Sequence, residues 1–168
     1  RINMNLREDK SWAYGAFSFS PMGIAQRPWI LWAPVQTDKT AESMMELNND
    51  VLEFKTSRPA TQQERDLHVN GNLRALPGNF ESLNTLLNSF LINNRIGHPL
   101  DYVTTLGDRY AKISVADIQR VAAETFHQDK LTWLVVGDRE QIEDKIRALD
   151  FGPVEIRDSD GNVLTDEN

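Results

Sequence analysis

The chain has 168 residues, a length that corresponds to a single domain of common size. It contains 18 Lys and Arg against 25 Asp and Glu, and the resulting net charge of −7 disfavours binding to a nucleic-acid backbone. The sequence has no cysteine, which excludes thiol catalysis and cysteine-bound zinc, and no apolar run approaches the ~20 residues that span a bilayer.

The first 36 residues predict the end of a helix followed by two strands. Residues 1–10 predict the last turns of a helix, and no N-cap residue precedes them, so we expect the domain to be truncated at its N-terminus. Residues 11–20 alternate between two faces, as a strand does, and residues 29–36 predict a second strand with Pro34 at an edge or a bulge. The two strands together predict an antiparallel hairpin.

The middle of the chain predicts a series of helices. Thr61 with Glu64, and Ser114 with Asp117, predict capping boxes at two helix N-termini. The first helix has an apolar stripe formed by Ala41, Met44, Met45, Val51 and Leu52. The most regular stripe is formed by Phe80, Leu83, Leu86, Leu87, Phe90 and Leu91. A stripe this regular is more often part of a domain core than a surface for a partner helix, so we expect it to be buried.

The C-terminal third predicts strands around one more helix. Residues 131–137 (LTWLVVG) are almost continuously apolar and predict a central strand covered on both faces. A helix over residues 139–149 and a short strand over residues 153–157 follow. The order of elements predicts one α+β domain over residues 1–157, with helices layered against one antiparallel or mixed sheet. Residues 158–168 are acidic and predict a mobile tail.

Metal-binding patterns are absent from the sequence. His68, His98 and His127 occur in neither H-E-x-x-H nor H-x-x-E-H spacing, so we expect no zinc site built by this chain. Residues 158–161 (DSDG) match part of a calcium loop, but the ligand series is incomplete. A β-turn with glycine at a positive φ explains this segment better.

The passage from the first helix to the first strand contains two residues suited to binding a carbonyl group. Arg7 lies near the helix end, and Tyr14 follows on the strand. One interpretation is structural, because Arg7 complements the helix dipole and Tyr14 packs with its hydroxyl in water. The other is functional, because a cationic guanidinium and a neutral hydroxyl donor both stabilise negative charge that develops on an oxygen.

The same passage carries a family resemblance. Residues 6–15 follow the pattern L-R-x-x-x-x-x-x-Y-G, and residues 134–138 (LVVGD) and 151–155 (FGPVE) follow in order. On these motifs, nearly the whole chain resembles the C-terminal, non-metal-binding half of the pitrilysin/insulinase family of zinc metallopeptidases, of the bacterial zinc protease type. The resemblance implies the α+β fold of the mitochondrial-processing-peptidase-like metallohydrolase domain.

The resemblance also implies a division of labour between two homologous halves. The first half of such an enzyme carries H-x-x-E-H and zinc, and the two halves, fused or separate, enclose a chamber for unfolded peptides. Arg7 would bind a carbonyl or carboxylate of the substrate, and Tyr14 would donate a hydrogen bond to the scissile carbonyl and its oxyanion. Zinc would be the cofactor of the complete enzyme, and this chain alone would be inactive.

Two further expectations follow from the resemblance. Some members of the family have lost catalysis, so the chain is alternatively a catalytically silent structural or assembly module, with Arg7 and Tyr14 as packing residues. Bacterial relatives imply a periplasmic or cell-envelope location. An intact H-x-x-E-H motif in the partner half would favour the enzyme over the assembly module.

Overall fold

The computed structural model describes residues 1–164 and is helix-rich. A π-helix, Met4–Asp9, is followed by strands β1 (Phe17–Phe19) and β2 (Ile30–Trp32). The α-helices within these residues are α1 (Thr40–Lys55), α2 (Gln62–Ala75), α3 (Leu83–Arg95), α4 (Leu106–Lys112), α5 (Val115–Thr125) and α6 (Arg139–Arg147). Short 3₁₀ turns occur at Thr37–Lys39, Gly78–Phe80, Tyr102–Thr105 and Gln128–Lys130. Of the helices in this part of the chain, none is both long and apolar enough to cross a membrane.

The predicted hairpin forms with shorter strands. β1 pairs with β2 in a two-stranded antiparallel sheet, and Ala13 makes a separate antiparallel bridge with Val35. Pro34 precedes the bridged Val35, and its missing N–H cannot contribute to a ladder between strands. The pairing therefore confirms the α+β class, whereas the layering of the helices on a larger sheet stays a prediction.

The structure forms two compact units. Among the described residues, the first unit consists of Arg1–Phe17, Ala33–Asn49 and residues 132–164. The second unit consists of Ser18–Trp32 and Asp50–Leu131. α1 contributes residues to both, and each unit has buried apolar side chains of its own.

The core of the first unit is built on Leu6. This side chain is fully buried and clusters with Ala16 and Leu47. The partly buried apolar residues around this cluster are Ile2, Trp12, Ala13, Ala33, Val35 and Trp133. Burying one leucine contributes roughly 1.5–3 kcal/mol. The burial of Leu6 therefore holds the end of the π-helix, and with it the neighbouring Arg7, in a defined place.

Both predicted capping boxes form in the second unit. The Thr61 hydroxyl accepts a hydrogen bond from the Glu64 N–H at 3.2 Å, and the Glu64 carboxylate accepts one from the Thr61 N–H at 2.9 Å. Ser114 and Asp117 make the same pair of bonds at 3.1 and 3.0 Å. Each box satisfies two backbone donors that a helix start leaves unpaired. The predicted starts of α2 and α5 are therefore confirmed.

α5 is tied to the residues between α1 and α2. The Gln119 amide donates to the carbonyls of Phe54 and Lys55 at 3.2 and 3.4 Å, and its oxygen accepts from the Ala60 N–H at 3.4 Å. Lys55 Nζ donates to the carbonyl of Phe126 at 2.5 Å. The two Gln119 amide bonds satisfy carbonyls that the C-terminus of α1 leaves unpaired, and the Lys55 bond satisfies the carbonyl that follows α5.

The buried face of α1 differs from the predicted stripe. The buried apolar residues are Ala41, Met44, Leu47 and Val51. Met45 and Leu52, which were part of the predicted stripe, are exposed. Each of them lies one position past a buried residue, which turns a side chain by about 100° around an α-helix. The prediction was wrong for these two residues.

α3 contradicts the predicted core more strongly. Leu83 is 84% exposed, and Leu87, Phe90 and Leu91 are exposed as well. The buried residue of α3 is instead a polar one, Asn93. Periodicity shows that a helix has one apolar face, but it does not show what covers that face. The expectation that this stripe lies in the core of the chain was therefore wrong.

The predicted central strand over residues 131–137 does not form. Leu131, Trp133 and Val135 are partly buried, whereas Leu134 and Val136 are 87% and 92% exposed. A strand needs hydrogen-bond partners on another strand, and no part of residues 1–164 supplies one here. The expectation of a strand covered on both faces was therefore wrong.

The predicted strand over residues 153–157 is also reduced. Arg157 makes one antiparallel bridge with Val163, and the rest of the segment adopts no strand. That bridge places residues 158–162 in a hydrogen-bonded turn. The predicted tail extends past this turn to residues 165–168, which lie outside the described residues.

Candidate functional site

Arg7 lies in the last turn of the π-helix, with its side chain 53% exposed. Its Nε is 3.4 Å from Oε1 of Glu8, which is also half-exposed. An exposed ion pair of this kind contributes roughly 0–1 kcal/mol. The guanidinium is therefore accessible and only weakly held. π-Helical turns are rare and occur frequently at functional sites.

The backbone leaves the π-helix through a left-handed residue. Ser11 has a φ of 55°, which is uncommon for a residue other than glycine. The N–H groups of Trp12 and Ala13 both donate to the carbonyl of Leu6, at 2.9 and 3.3 Å, and the Ser11 N–H donates to the carbonyl of Arg7 at 3.1 Å. These bonds satisfy carbonyls at the helix end and set the direction in which the chain continues toward Tyr14.

Gln36 holds the same passage from the other side. Its N–H donates to the Trp12 carbonyl at 2.9 Å, and its side-chain Nε2 donates to the Ser11 carbonyl at 3.0 Å. The Nζ atoms of Lys10 and Lys39 lie 5.3 and 5.8 Å from the centre of a Trp12 ring, within the range of a cation–π interaction. Residues 11–13 are therefore fixed by backbone, side-chain and ring contacts together.

Tyr14 projects from this fixed passage into solvent. Its side chain is 92% exposed, and within residues 1–164 its hydroxyl has no hydrogen-bond partner. The next residues turn back into the core: Gly15 and Ala16 are buried, and the Ala16 N–H donates to Asn3 Oδ1 at 3.2 Å. A Cβ atom on Gly15 would lie 2.9 Å from the Phe17 ring, so the close approach requires glycine unless that ring moves.

A shallow groove of about 330 Å³ lies beside Tyr14. It is lined by residues 11–14 on one side and residues 34–36 on the other. Arg7 is not among its lining residues, so Arg7 and Tyr14 belong to one passage without lining one groove. The arrangement presents a phenolic donor and a guanidinium on a short, well-anchored stretch of backbone.

The histidines do not form a metal site. His98 stacks on Tyr102 with ring centres 3.8 Å apart, and His127 Nε2 lies 2.9 Å from the Glu124 carbonyl oxygen. His68 is exposed on α2. In the part of the chain that the structure describes, no three His, Cys, Asp or Glu side chains are placed to hold a metal ion.

The DSDG segment forms the expected β-turn. Gly161 has a φ of +86°, and the Asp158 carboxylate accepts hydrogen bonds from the N–H groups of Asp160 and Asn162 at 2.9 and 2.8 Å. The Asn162 side chain and backbone donors hold the pKa of Asp158 below its usual range. The carboxylate is therefore used to close the turn.

Sequence reasoning missed three features of this site. The π-helical turn has no established sequence signal, and neither does the contact of Glu8 with Arg7. The positive φ of Ser11 was indicated only weakly, by its position just after the helix, because a helix commonly ends with a left-handed residue. These features appear only once the backbone path is known.

The fold is similar to that of a solved structure, the crystal structure of a peptidase M16 inactive domain from Pseudomonas fluorescens, with a TM-score of 0.62. The sequence identity is 16%, and the match covers 75% of this chain and 30% of that chain. No family model matches the sequence, and no curated protein matches it. At this identity the likeness concerns the fold alone.

Proposed function

We propose that the chain is the substrate-binding, non-metal half of a zinc metalloendopeptidase that hydrolyses unfolded peptides. The observation that carries the proposal is the exposed hydroxyl of Tyr14, which has no hydrogen-bond partner among residues 1–164, on an anchored passage that also presents Arg7. The L-R-x-x-x-x-x-x-Y-G pattern of these residues supports it. The fold likeness to a domain described as inactive supports a non-catalytic half.

Zinc belongs to the other half in this proposal. The described residues do not fit a zinc ion, since they contain no group of three suitable ligands. The metal and the H-x-x-E-H motif are therefore assigned to a homologous partner half, fused or separate. This chain alone is then inactive as a peptidase, and the assembled protein lies in the periplasm or cell envelope.

Tyr14 and Arg7 act on the peptide as hydrogen-bond donors. The Tyr14 hydroxyl donates to the scissile carbonyl oxygen and to the oxyanion that develops from it. Arg7 binds a second oxygen of the substrate through its guanidinium fork. Because residues 11–13 are held by Leu6 and Gln36, the Tyr14 donor needs little reorganisation when the substrate binds.

An assembly module without catalysis is the second candidate, and a specific observation favours it. Leu83, Leu87 and Leu91 on α3 are exposed on one face, and Leu134 and Val136 are exposed elsewhere in the chain. An exposed apolar helix face such as that of α3 is typical of surfaces that bind another protein. In this candidate Arg7 and Tyr14 have no contact with a substrate.

Peptide hydrolysis by the assembled, zinc-loaded protein distinguishes the two candidates. Tyr14→Phe removes one hydroxyl and should lower kcat/KM on the order of 10²–10³-fold, as the loss of one oxyanion donor does. Tyr110→Phe is the matched control, since it removes a hydroxyl from α4. Arg7→Ala should also lower kcat/KM, with Arg27→Ala in the β1–β2 loop as its control.

Zinc content and a chelator complete the experiment. Zinc content should be equal in all variants, and a chelator should abolish the activity of the assembled protein until zinc is restored. Unchanged turnover in both Tyr14→Phe and Arg7→Ala would refute the substrate-binding role. Failure of the zinc-replete assembled protein to hydrolyse any unfolded peptide would favour the assembly module.

A further inference from the structure

We infer that Glu8 sets the substrate preference at the Arg7 contact by disfavouring peptides that bring a carboxylate to it. The inference rests on the proposed function, because it concerns the oxygen of the substrate that Arg7 binds. Glu8 is then a specificity-determining residue. Arg7 binds a neutral carbonyl of the substrate in preference to an acidic side chain or a free C-terminus.

The geometry of the pair is the first step. Glu8 Oε1 is 3.4 Å from Arg7 Nε, and both side chains are about half-exposed, so the carboxylate lies at the Nε edge of an accessible guanidinium. The pair leaves the other N–H donors of the Arg7 fork open to the substrate.

The surrounding charges are the second step. Asp9 follows Glu8 and is also exposed, whereas Lys10 is engaged with Glu46 at 3.3 Å and lies over Trp12. A peptide at Arg7 therefore meets a guanidinium that already has a counter-ion, Glu8. A neutral carbonyl can accept one free N–H without displacing Glu8. A carboxylate must compete with Glu8 for the guanidinium and is repelled by the Glu8 anion.

The test uses the zinc-loaded, assembled peptidase and a matched peptide series. The parent is an unfolded peptide with a blocked N-terminus, an amidated C-terminus and Gln as its only polar side chain type, and each analogue replaces one Gln by Glu. In the wild type, at least one Glu analogue should show a lower kcat/KM than the parent, mainly through a higher KM. Glu8→Gln should reduce the ratio of the parent's kcat/KM to the Glu analogue's kcat/KM about two- to five-fold, as expected for the loss of an exposed charge pair.

Asp9→Asn is the matched control, because it removes the same charge from the adjacent residue without touching Arg7. Asp9→Asn should reduce the ratio of kcat/KM between the parent and the Glu analogue less than Glu8→Gln does. The Nε–H signal of Arg7 in NMR spectra is a readout independent of activity: it should shift in Glu8→Gln and stay in place in Asp9→Asn. High salt should also reduce the wild-type discrimination, since it screens exposed charges.

The outcomes separate this inference from the proposed function. If Arg7→Ala lowers turnover while Glu8→Gln leaves the Glu-to-Gln ratios unchanged, the role of Glu8 is overturned and the proposed function stands. An equal effect of Asp9→Asn and Glu8→Gln would also overturn it, because net charge would then explain the preference. If Arg7→Ala leaves turnover unchanged, Arg7 does not bind substrate and the role of Glu8 is overturned, whereas the proposed function is refuted only if Tyr14→Phe also leaves turnover unchanged.

Discussion

Two apolar stretches of the first unit show opposite behaviour. Residues 6–16 form an anchored passage, in which Leu6 is fully buried and its carbonyl accepts hydrogen bonds from two later N–H groups. Residues 132–136 are more apolar, yet Leu134 and Val136 are almost fully exposed. Apolar character alone therefore does not determine which stretch of this chain is buried.

The difference lies in where the backbone finds its partners. A helix end is satisfied by groups a few residues away, so the passage after the π-helix closes on itself and on residues 35 and 36. A strand is satisfied only by another strand, which has to come from elsewhere. The passage after the π-helix therefore holds Tyr14 in place through hydrogen bonds to nearby residues, without needing a partner strand.

The largest expected effect is on the buried leucine of the passage. Leu6→Ala should lower the free energy of unfolding by about 2–5 kcal/mol, because it removes a fully buried side chain and leaves a cavity. The same change at the exposed Leu134 should cost less than about 0.5 kcal/mol. Urea denaturation of the two variants measures the contrast directly. Similar losses at both positions would contradict the comparison.

The next effect concerns the left-handed turn of the passage. Ser11→Val should destabilise the protein by about 1–3 kcal/mol, since a β-branched residue is strained at a φ of 55°. Ser11→Gly should leave stability unchanged or raise it slightly, because glycine adopts this φ without strain. Thermal denaturation of both variants tests this, and equal stability of the two would show that the turn is not held at a positive φ.

A locally satisfied helix start should give a smaller effect. Ser114→Ala removes the hydroxyl that accepts from the Asp117 N–H and should cost about 1 kcal/mol of stability. Ser57→Ala, at an exposed turn, is the control and should be neutral. Urea denaturation of both variants measures the loss in the free energy of unfolding. A loss near ~1 kcal/mol for Ser114→Ala alone would show that a capping box formed within four consecutive residues stabilises its helix as much as typical helix caps do.

The capping box of Ser114 and Asp117 also predicts that the stability of the fold depends on pH. Hydrogen bonds from the Ser114 hydroxyl, and then from its backbone N–H, hold the pKa of Asp117 below its usual range. A folded-state pKa below the unfolded value contributes stability that is present above the unfolded pKa and is lost as the pH falls through the folded one. NMR titration should find this low pKa, and Ser114→Ala should raise it toward the usual value. An unchanged Asp117 pKa in that variant would exclude the hydroxyl as its cause.

Much of the local structure could be predicted from the residues themselves. The boxes at Thr61 and Ser114 and the glycine turn at Gly161 were predicted correctly, because each depends on side chains within a few positions. The buried side of α1 was misjudged at Met45, where a small rotation around the helix decides exposure. The open face of α3 was missed, because burial depends on distant residues.

By itself, the sequence determined the helix starts, the hairpin, the α+β class and the presence of Arg7 and Tyr14 on one passage between the first helix and the first strand. Only the tertiary structure decided that Tyr14 is exposed, that Glu8 lies against Arg7, and that Leu134 and Val136 have no strand beside them within residues 1–164. The physical reason is range. Caps and turns are satisfied by neighbours in sequence, whereas exposure, ion pairing and strand pairing depend on groups that only the folded chain brings together, or leaves apart.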